Sequence, residues 1–497
     1  MTAPAPAPAE TGRTPVVIRW LVAATFTVIL NETIMINAIP RLAEDFEVSY
    51  NAAQWLSTAF LLTMAAVIPV TGWFLQRVTT RTAFATGTLL ALVAPTFWVL
   101  LLARIIQASG TAVMMPLLMT TLMTVVPVHD RGRVMGNVTL AMSVAPALGP
   151  AVSGVLLQLG SWRLIFAVVL PIALAVTVAS LRKLENVGEP QAGEIDWVSV
   201  PIAALGFGGL VYGLSEFATG DRLRPTLIVV GGVIAIALFA TRQLLLMRTG
   251  APLLDLRVLR HRTYRLSLIL MSISFMAMLG AMILLPLYLQ EVRGLSPLET
   301  GLLVMPGGLA MGLMGPRVGA VFDKVGSKPL VVPGSVGIVV SLFALTQIGA
   351  DTAYPLILAV HILLMVSLAA LFTPVFTLGL GDVPMQLYSH GSSMLGTIQQ
   401  VAGAFGTALV ITLMTSRTND RLDEGASLQA ATIDGMQLAF LVSAVIALGI
   451  VVLAAMLPSR PAVDPHAGPA PQAGDLDAEL EELEDGLEEL SPGPTAS

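Results

Sequence analysis

The chain has no cysteine, five histidines and three lysines, and charged residues make up only 12% of its 497 positions. Without cysteine there is no disulfide framework and no thiolate metal site, and the histidines are too scattered to form a metal cluster. Soluble domains carry about 25% charged residues, so a string of soluble domains is excluded. No Gly-x4-Gly-Lys-Ser/Thr loop occurs, which argues against ATP-driven chemistry, and nothing suggests the nucleophile–base pair of an enzyme. No cofactor or metal is implied. The basic residues are spread in ones and twos between apolar runs, a poor pattern for binding nucleic acid. The net charge of −6 is misleading about the body of the chain. Asp475, Asp477, Glu479, Glu481, Glu482, Glu484, Asp485, Glu488 and Glu489 lie in one C-terminal run, and without these nine the remainder would be about +3. What the chain has in abundance is apolar residues, 55% of the total. The partner they imply is a lipid bilayer.

A hydrocarbon core of roughly 30 Å takes about 20 apolar residues per helix. Runs of that kind occur at 16–37, 53–72, 82–95, 97–126, 134–158, 163–181, 197–216, 226–247, 265–289, 299–322, 328–348, 354–379, 392–415 and 434–457, fourteen in all. The third is short: Thr82 to Pro95 reaches about 21 Å as a helix, so it borrows from its flanks, crosses a thinned region or reflects a deletion. Residues 1–12, rich in Pro and Ala, read as a disordered leader rather than a cleavable signal. With fourteen spans both termini share a side. That side holds 17 of the 26 Arg and Lys; the other holds Arg41, Arg163, Arg222, Arg224, Arg293, Arg417 and Arg421, and Arg104 and Arg242 fall inside spans. The excess places both termini in the cytoplasm.

The loop after the second span, Gly72 to Arg81, and the loop after the tenth, Gly319 to Lys328, share the pattern Gly-x3-polar-basic-x3-basic. Cytoplasmic loops commonly collect glycine and basic residues. Here, however, spacing, side and position in the series agree together, as in transporters built from repeats around a midplane site. The expected fold is all-α and integral to the membrane: two six-helix pseudo-repeat bundles, 13–182 and 262–458. A linker at 183–261 carries an extra helix pair, and residues 459–497 form an acidic cytoplasmic tail.

Charges within spans are costly and mark function by default. Glu32 lies well inside the first span beside Asn31, with Asn37 further on. A carboxyl there can take up a proton and release it when its cavity rewets; a structurally paired glutamate is the plainer reading. Arg104 and Gln107 lie in the fourth span. A buried arginine needs a carboxylate or carbonyls, so Arg104 either faces Glu32, directly or through water, or bonds to helix carbonyls. The fifth span carries Pro146, Gly149, Pro150 and Gly154, a set that permits close approach and a kink and suggests a moving seam as readily as plain packing. His361 and Gln399, in the twelfth and thirteenth spans, are weaker candidates for a polar cavity. The leucines of the tail, Leu476 to Leu490, are spaced for a short coiled coil among acids, though a solubilising tail accounts for them equally.

These residues resemble the major facilitator superfamily, and within it the fourteen-helix drug:proton antiporter branch. The loop Gly72–Arg77–Arg81 looks like the signature between the second and third helices, and Gly319, Asp323, Lys324 and Lys328 like its second-half copy. Arg104-x-x-Gln107 with Gly110 resembles the fourth-helix motif tied to proton transfer. Pro146-x-x-Gly149-Pro150-x-x-x-Gly154 is similar to the fifth-helix motif of exporters. Leu30-Asn31-Glu32-Thr33-Ile34 looks like the branch's first-helix motif, and the stretch from Leu285 to Pro297 like the start of its second half. Three positions depart from the family: Gln76 stands where the loop signature has an acid, Thr79 where it has a glycine, and Glu32 lies one place after the usual first-helix acid, which rotates the carboxyl by about 100°.

The resemblance implies a proton-coupled exporter of drugs or other amphiphilic or cationic small molecules, monomeric, in a bacterial cell membrane. Glu32 and Arg104 would handle the proton, and Asn31, Asn37, Gln107, His361 and Gln399 would line the substrate cavity. The same machine dedicated to a metabolite or lipid, or a non-transporting scaffold, are the alternatives.

Overall fold

The computed structural model describes residues 15–77, 96–160, 162–169, 171, 196–217, 223–248 and 252–459. The leader, the third span expected at 82–95, Arg81, most of the sixth span and the tail from 460 onward lie outside the described residues.

Every regular element among the described residues is helical. In chain order they are α1 (Val16–Asp45), α2 (Tyr50–Arg77), α3 (Phe97–Val125) and α4 (Arg131–Leu159), followed by a short helical stretch at 163–169. Next comes α5, which runs from Ser199–Ala203 through a π turn at Ala204–Gly208 to Gly209–Glu216, and then α6 (Leu223–Leu246). The series ends with α7 (Arg262–Leu287, extended by a π turn at Tyr288–Val292), α8 (Pro297–Val325), α9 (Lys328–Leu345), α10 (Tyr354–Gly381), α11 (Tyr388–Asp423) and α12 (Leu428–Met456). Ten described helices are long and apolar enough to cross a membrane, eleven if α4, bent by 41° between 149 and 152, is one span.

Local chemistry sets several boundaries. The Thr96 side chain accepts the Val99 N–H at the start of α3, and Ser427 does the same for Ala430 at α12. Ser296 and Glu299 form a reciprocal capping box at α8, with Pro297 in its first turn. Gly326 ends that helix at φ +84°, a left-handed conformation that a side chain would oppose. Internal prolines do not terminate helices here. α1 passes through Pro40 and extends two turns beyond the apolar run, because neighbouring helices rather than water meet the freed backbone groups.

Burying leucine against leucine gains little in a membrane, since lipid tails are equally apolar; small residues that let backbones approach are what hold such helices together. The contacts follow that rule. A Cβ on Gly136 would lie 2.3 Å from the Gly315 carbonyl oxygen, and one on Gly319 would lie 2.0 Å from that of Gly132. Gly308 and Gly312 press in the same way on Ala147 and Val144. α4 and α8 therefore run together along much of their length. α2 packs on α11, and α5 touches both of these.

The pair α5–α6 is fastened independently of that seam. Gly206 abuts Ile236, Gly213 abuts Val229, and Gly232 abuts Leu210. Arg242 donates two hydrogen bonds of 2.7 Å to the Asp196 carboxylate. Those bonds hold that carboxyl down at about 2, against an ordinary 3.8. Gln243, fully buried, donates to Ser199 Oγ at 2.9 Å and accepts the N–H groups of Leu253 and Leu254 at 2.8 and 3.2 Å. That single amide ties α6 both to α5 and to the segment leading into α7.

Candidate functional site

Halfway along α1, Asn31 is 3% exposed, and its Oδ1 has no hydrogen-bond partner among the described residues. Glu32 follows, partly accessible although it lies mid-helix. Thr33 turns its hydroxyl back to the Ile29 and Leu30 carbonyls at 3.1 and 3.0 Å.

Arg104, on α3, is 1% exposed. A guanidinium so placed requires acceptors, and three groups meet it. Its Nε donates to the Leu56 carbonyl of α2 at 3.3 Å, its Nη1 donates to Gln107 Oε1 at 2.7 Å, and its plane lies 4.2 Å from the centre of the Phe60 ring. No direct ion pair joins Glu32 and Arg104 among the described residues. The arginine is therefore fixed by neutral groups. Gln107, expected to line a cavity, instead directs its amide oxygen at Arg104.

The fifth-span motif forms the wall behind Glu32. A Cβ on Gly149 would lie 2.4 Å from Thr33 Oγ1, and Ser153 Oγ donates to the Ile34 carbonyl at 3.0 Å. α4 bends beside Pro150, whose ring, like the side chains of Asn37 and Arg77, lies outside the described residues. Gly154 faces open space, with nothing within 4 Å of a Cβ built there.

His361, on α10, is 2% exposed and has an unpartnered Nδ1 among the described residues. A Cβ on Gly307 of α8 would lie 2.2 Å from its Cδ2. The next residue, Gly308, meets Ala147 of α4. Close contacts thus run from His361 through one turn of α8 and the fifth-span motif to Thr33, the neighbour of Glu32. His361 itself sits beside α8, apart from the Glu32–Arg104–Gln107 group. Gln399, on α11, is also buried, with Nε2 unpartnered among the described residues. Its neighbour Gln400 reaches Met64 Sδ of α2 at 3.8 Å.

The second-half loop residues are engaged. Asp323 accepts the N–H of Gly132 on Oδ1 at 2.9 Å and that of Arg133 on Oδ2 at 2.8 Å, which places a carboxylate on the N-terminus of α4. Gly319 lies against Gly132, and Lys328 opens α9. Lys324 has its own interactions. Gly72 lies in the last turns of α2. On that side the joint with α11 includes two hydroxyl pairs: Thr71 with Ser393 at 2.8 Å and Thr120 with Ser392 at 3.0 Å. Neither these hydroxyls nor Gly132, Gly136 and Gly315 were singled out from the sequence, although glycines four apart in two spans are a readable sign of close helix approach.

An all-helical, multi-pass body with a charged pair in its interior and glycine-packed seams defines a membrane transporter, not an enzyme. The chain belongs to the Major Facilitator Superfamily, whose family model matches residues 21–407. It is 37% identical over 459 residues to YcnB of Bacillus subtilis (strain 168), an uncharacterized MFS-type transporter, with 90% of this chain and 96% of that protein covered. It is also 37% identical over 412 residues to the lincomycin resistance protein LmrB of Listeria monocytogenes, with 81% and 86% covered. In fold it is similar to the crystal structure of the human organic anion transporter MFSD10, at a TM-score of 0.59 and 13% identity, covering 89% of this chain and all of that one.

Proposed function

We propose that this chain exports amphiphilic or cationic drug-like molecules across a bacterial plasma membrane in exchange for protons. The observation that carries the reading is the Glu32–Arg104 arrangement. An arginine held by Leu56, Gln107 and Phe60 leaves the mid-helix carboxyl of Glu32 without a direct cation. A carboxyl free of a direct cation can change its protonation, and a fixed cation nearby makes that change sensitive to hydration. Relatives named for lincomycin and multidrug resistance support a drug as cargo.

In this reading two six-helix halves, with α5–α6 as an extra pair, make up fourteen spans with both termini cytoplasmic, and a single chain suffices. Access alternates by rocking at the α4–α8 and α2–α11 seams. Asn31, Asn37, Gln107, His361 and Gln399 lie on the cavity or its supports, and the loops containing Gly72, Arg77, Arg81 and Gly319, Asp323, Lys324, Lys328 gate it. The test uses proteoliposomes with an imposed pH gradient and a fluorescent lipophilic cation. Gradient-driven movement by the wild type that is lost in Glu32→Gln supports the reading. Movement that persists in the variant removes Glu32 from coupling, and no movement by the wild type favours a dedicated metabolite or lipid as cargo.

A further inference from the structure

We infer that Arg248 at the end of α6, with Arg260, Arg262 and Arg265 around the start of α7, forms a binding site for anionic phospholipid. All four arginines are exposed, and their side chains make no hydrogen bond or ion pair among the described residues. Acids are close at hand, but each already has a partner. Asp196 holds Arg242, and Asp255, itself 3% exposed, holds Arg257. Asp382 accepts the N–H groups of Thr263 and Tyr264 at the start of α7.

The backbone that carries them is anchored. Gln243 binds the N–H groups of Leu253 and Leu254, both buried, and Asp255 caps the 3-10 turn Leu256–Arg260 by accepting the Arg257 N–H at 2.9 Å. Val258 is fully buried beneath that turn. The turn is a fixed shelf, so an anion binding to Arg260, Arg262 and Arg265 does not have to order it first. Arg262 and Arg265 share one face of the first turn of α7.

The second half of a phospholipid's chemistry lies just above the shelf. Leu238, Leu244 and Leu245 of α6 are 58%, 53% and 57% exposed, and they lead down to Arg248 at the helix end. An apolar stripe ending in unpaired cations at a helix terminus fits acyl chains and a phosphate head in the same leaflet. A soluble anion would use only the cations.

The test uses the full-length chain in a neutral detergent. Phosphatidylglycerol or phosphatidylethanolamine is added, and retained lipid is read by native mass spectrometry. The wild type should retain phosphatidylglycerol over phosphatidylethanolamine on the order of tenfold. Replacing all four arginines by Gln should bring the ratio close to one, and replacing them by Lys should preserve it. If the fourfold Gln variant fails to elute as a folded species, the pairs Arg248→Gln/Arg260→Gln and Arg262→Gln/Arg265→Gln should each lower the ratio. A wild type without preference, Gln variants that keep it, or displacement of phosphatidylglycerol by soluble glycerol 3-phosphate would each overturn the assignment.

Discussion

The helices α1–α4 meet α7–α12 at two seams, and the seams are built differently. Between α4 and α8, backbones approach across missing side chains at Gly132, Gly136, Gly315 and Gly319, and the Asp323 carboxylate caps the α4 N-terminus across the joint. Between α2–α3 and α11, the polar contacts among the described residues include the hydroxyl pairs Thr71–Ser393 and Thr120–Ser392, Ser392 Oγ donating to the Pro116 carbonyl, and Gln400 on Met64. A carboxylate on two N–H groups at a helix start draws on charge-assisted bonds and on the helix dipole. A hydroxyl pair draws on a single neutral bond. In the sequence the corresponding loops carry Asp323 on one side and Gln76 on the other. The two seams should accordingly differ in how much each holds the closed arrangement.

The strongest test of that difference is Gly319→Ala. Its new Cβ would lie 2.0 Å from the Gly132 carbonyl oxygen and 2.9 Å from the Arg133 Cα. Both are backbone atoms that no rotamer change can move, so α8 must shift. Overpacking of this kind costs typically about 1–3 kcal/mol. Because the chain has no cysteine, single-cysteine labels placed across the α4–α8 seam report its opening without background. A clear shift to longer label distances is expected, and an unchanged distribution would show that the seam is slack. Asp323→Asn should come next. It keeps one acceptor oxygen but removes the charge from the α4 N-terminus, a loss of about 1–2 kcal/mol, or roughly tenfold in the open-to-closed ratio. Labels across α2–α11 should respond less to this change than labels across α4–α8; equal responses would mean that the halves move as rigid bodies governed by either seam.

How much of this was legible beforehand follows from what carries each contact. The apolar runs mark the helices because a bilayer demands length and hydrophobicity, both written in side chains. Glu32 and Arg104 stood out as rare charges within such runs. What could not be read is whatever ends on the backbone. The acceptor for Arg104 is the carbonyl of Leu56, and the partner of Asp323 is a pair of N–H groups at Gly132 and Arg133. Carbonyls and amides belong to every residue and leave no mark in a sequence. Gly307 likewise acquires meaning only once His361 is seen against it, and the continuation of α1 past Pro40 depends on the helices around it.

On the weaker seam, Thr71→Val and Ser393→Ala each remove one partner of a buried 2.8 Å bond. Each should cost about 1 kcal/mol. The double variant should cost little more than either single one, since one shared bond is lost. That non-additivity, measured by thermal unfolding in detergent, separates a real bond from two unrelated packing changes, and strict additivity would show that the hydroxyls do not pair. Labels across α4–α8 should not move in any of the three variants, which makes this the local counterpart of Gly319→Ala.

The smallest effect is expected from the fastening of α5–α6, which bears on the hydroxyl seam only because α5 packs on both α2 and α11. Two bonds from Arg242 pull the Asp196 carboxyl from 3.8 down to about 2. A carboxyl depressed in the folded state stabilises it above the unfolded value, and that contribution disappears as pH falls through the folded value. The wild type should therefore melt above Asp196→Asn at neutral pH, by a small margin because the Arg242 side chain is 37% exposed and solvent screens the pair. The margin should close as the solution is acidified from 3.8 towards 2. The sign of that closure is the diagnostic feature: a margin that widened in acid would assign the stabilisation to the neutral carboxyl and detach the pair from the packing of α5 on the seam.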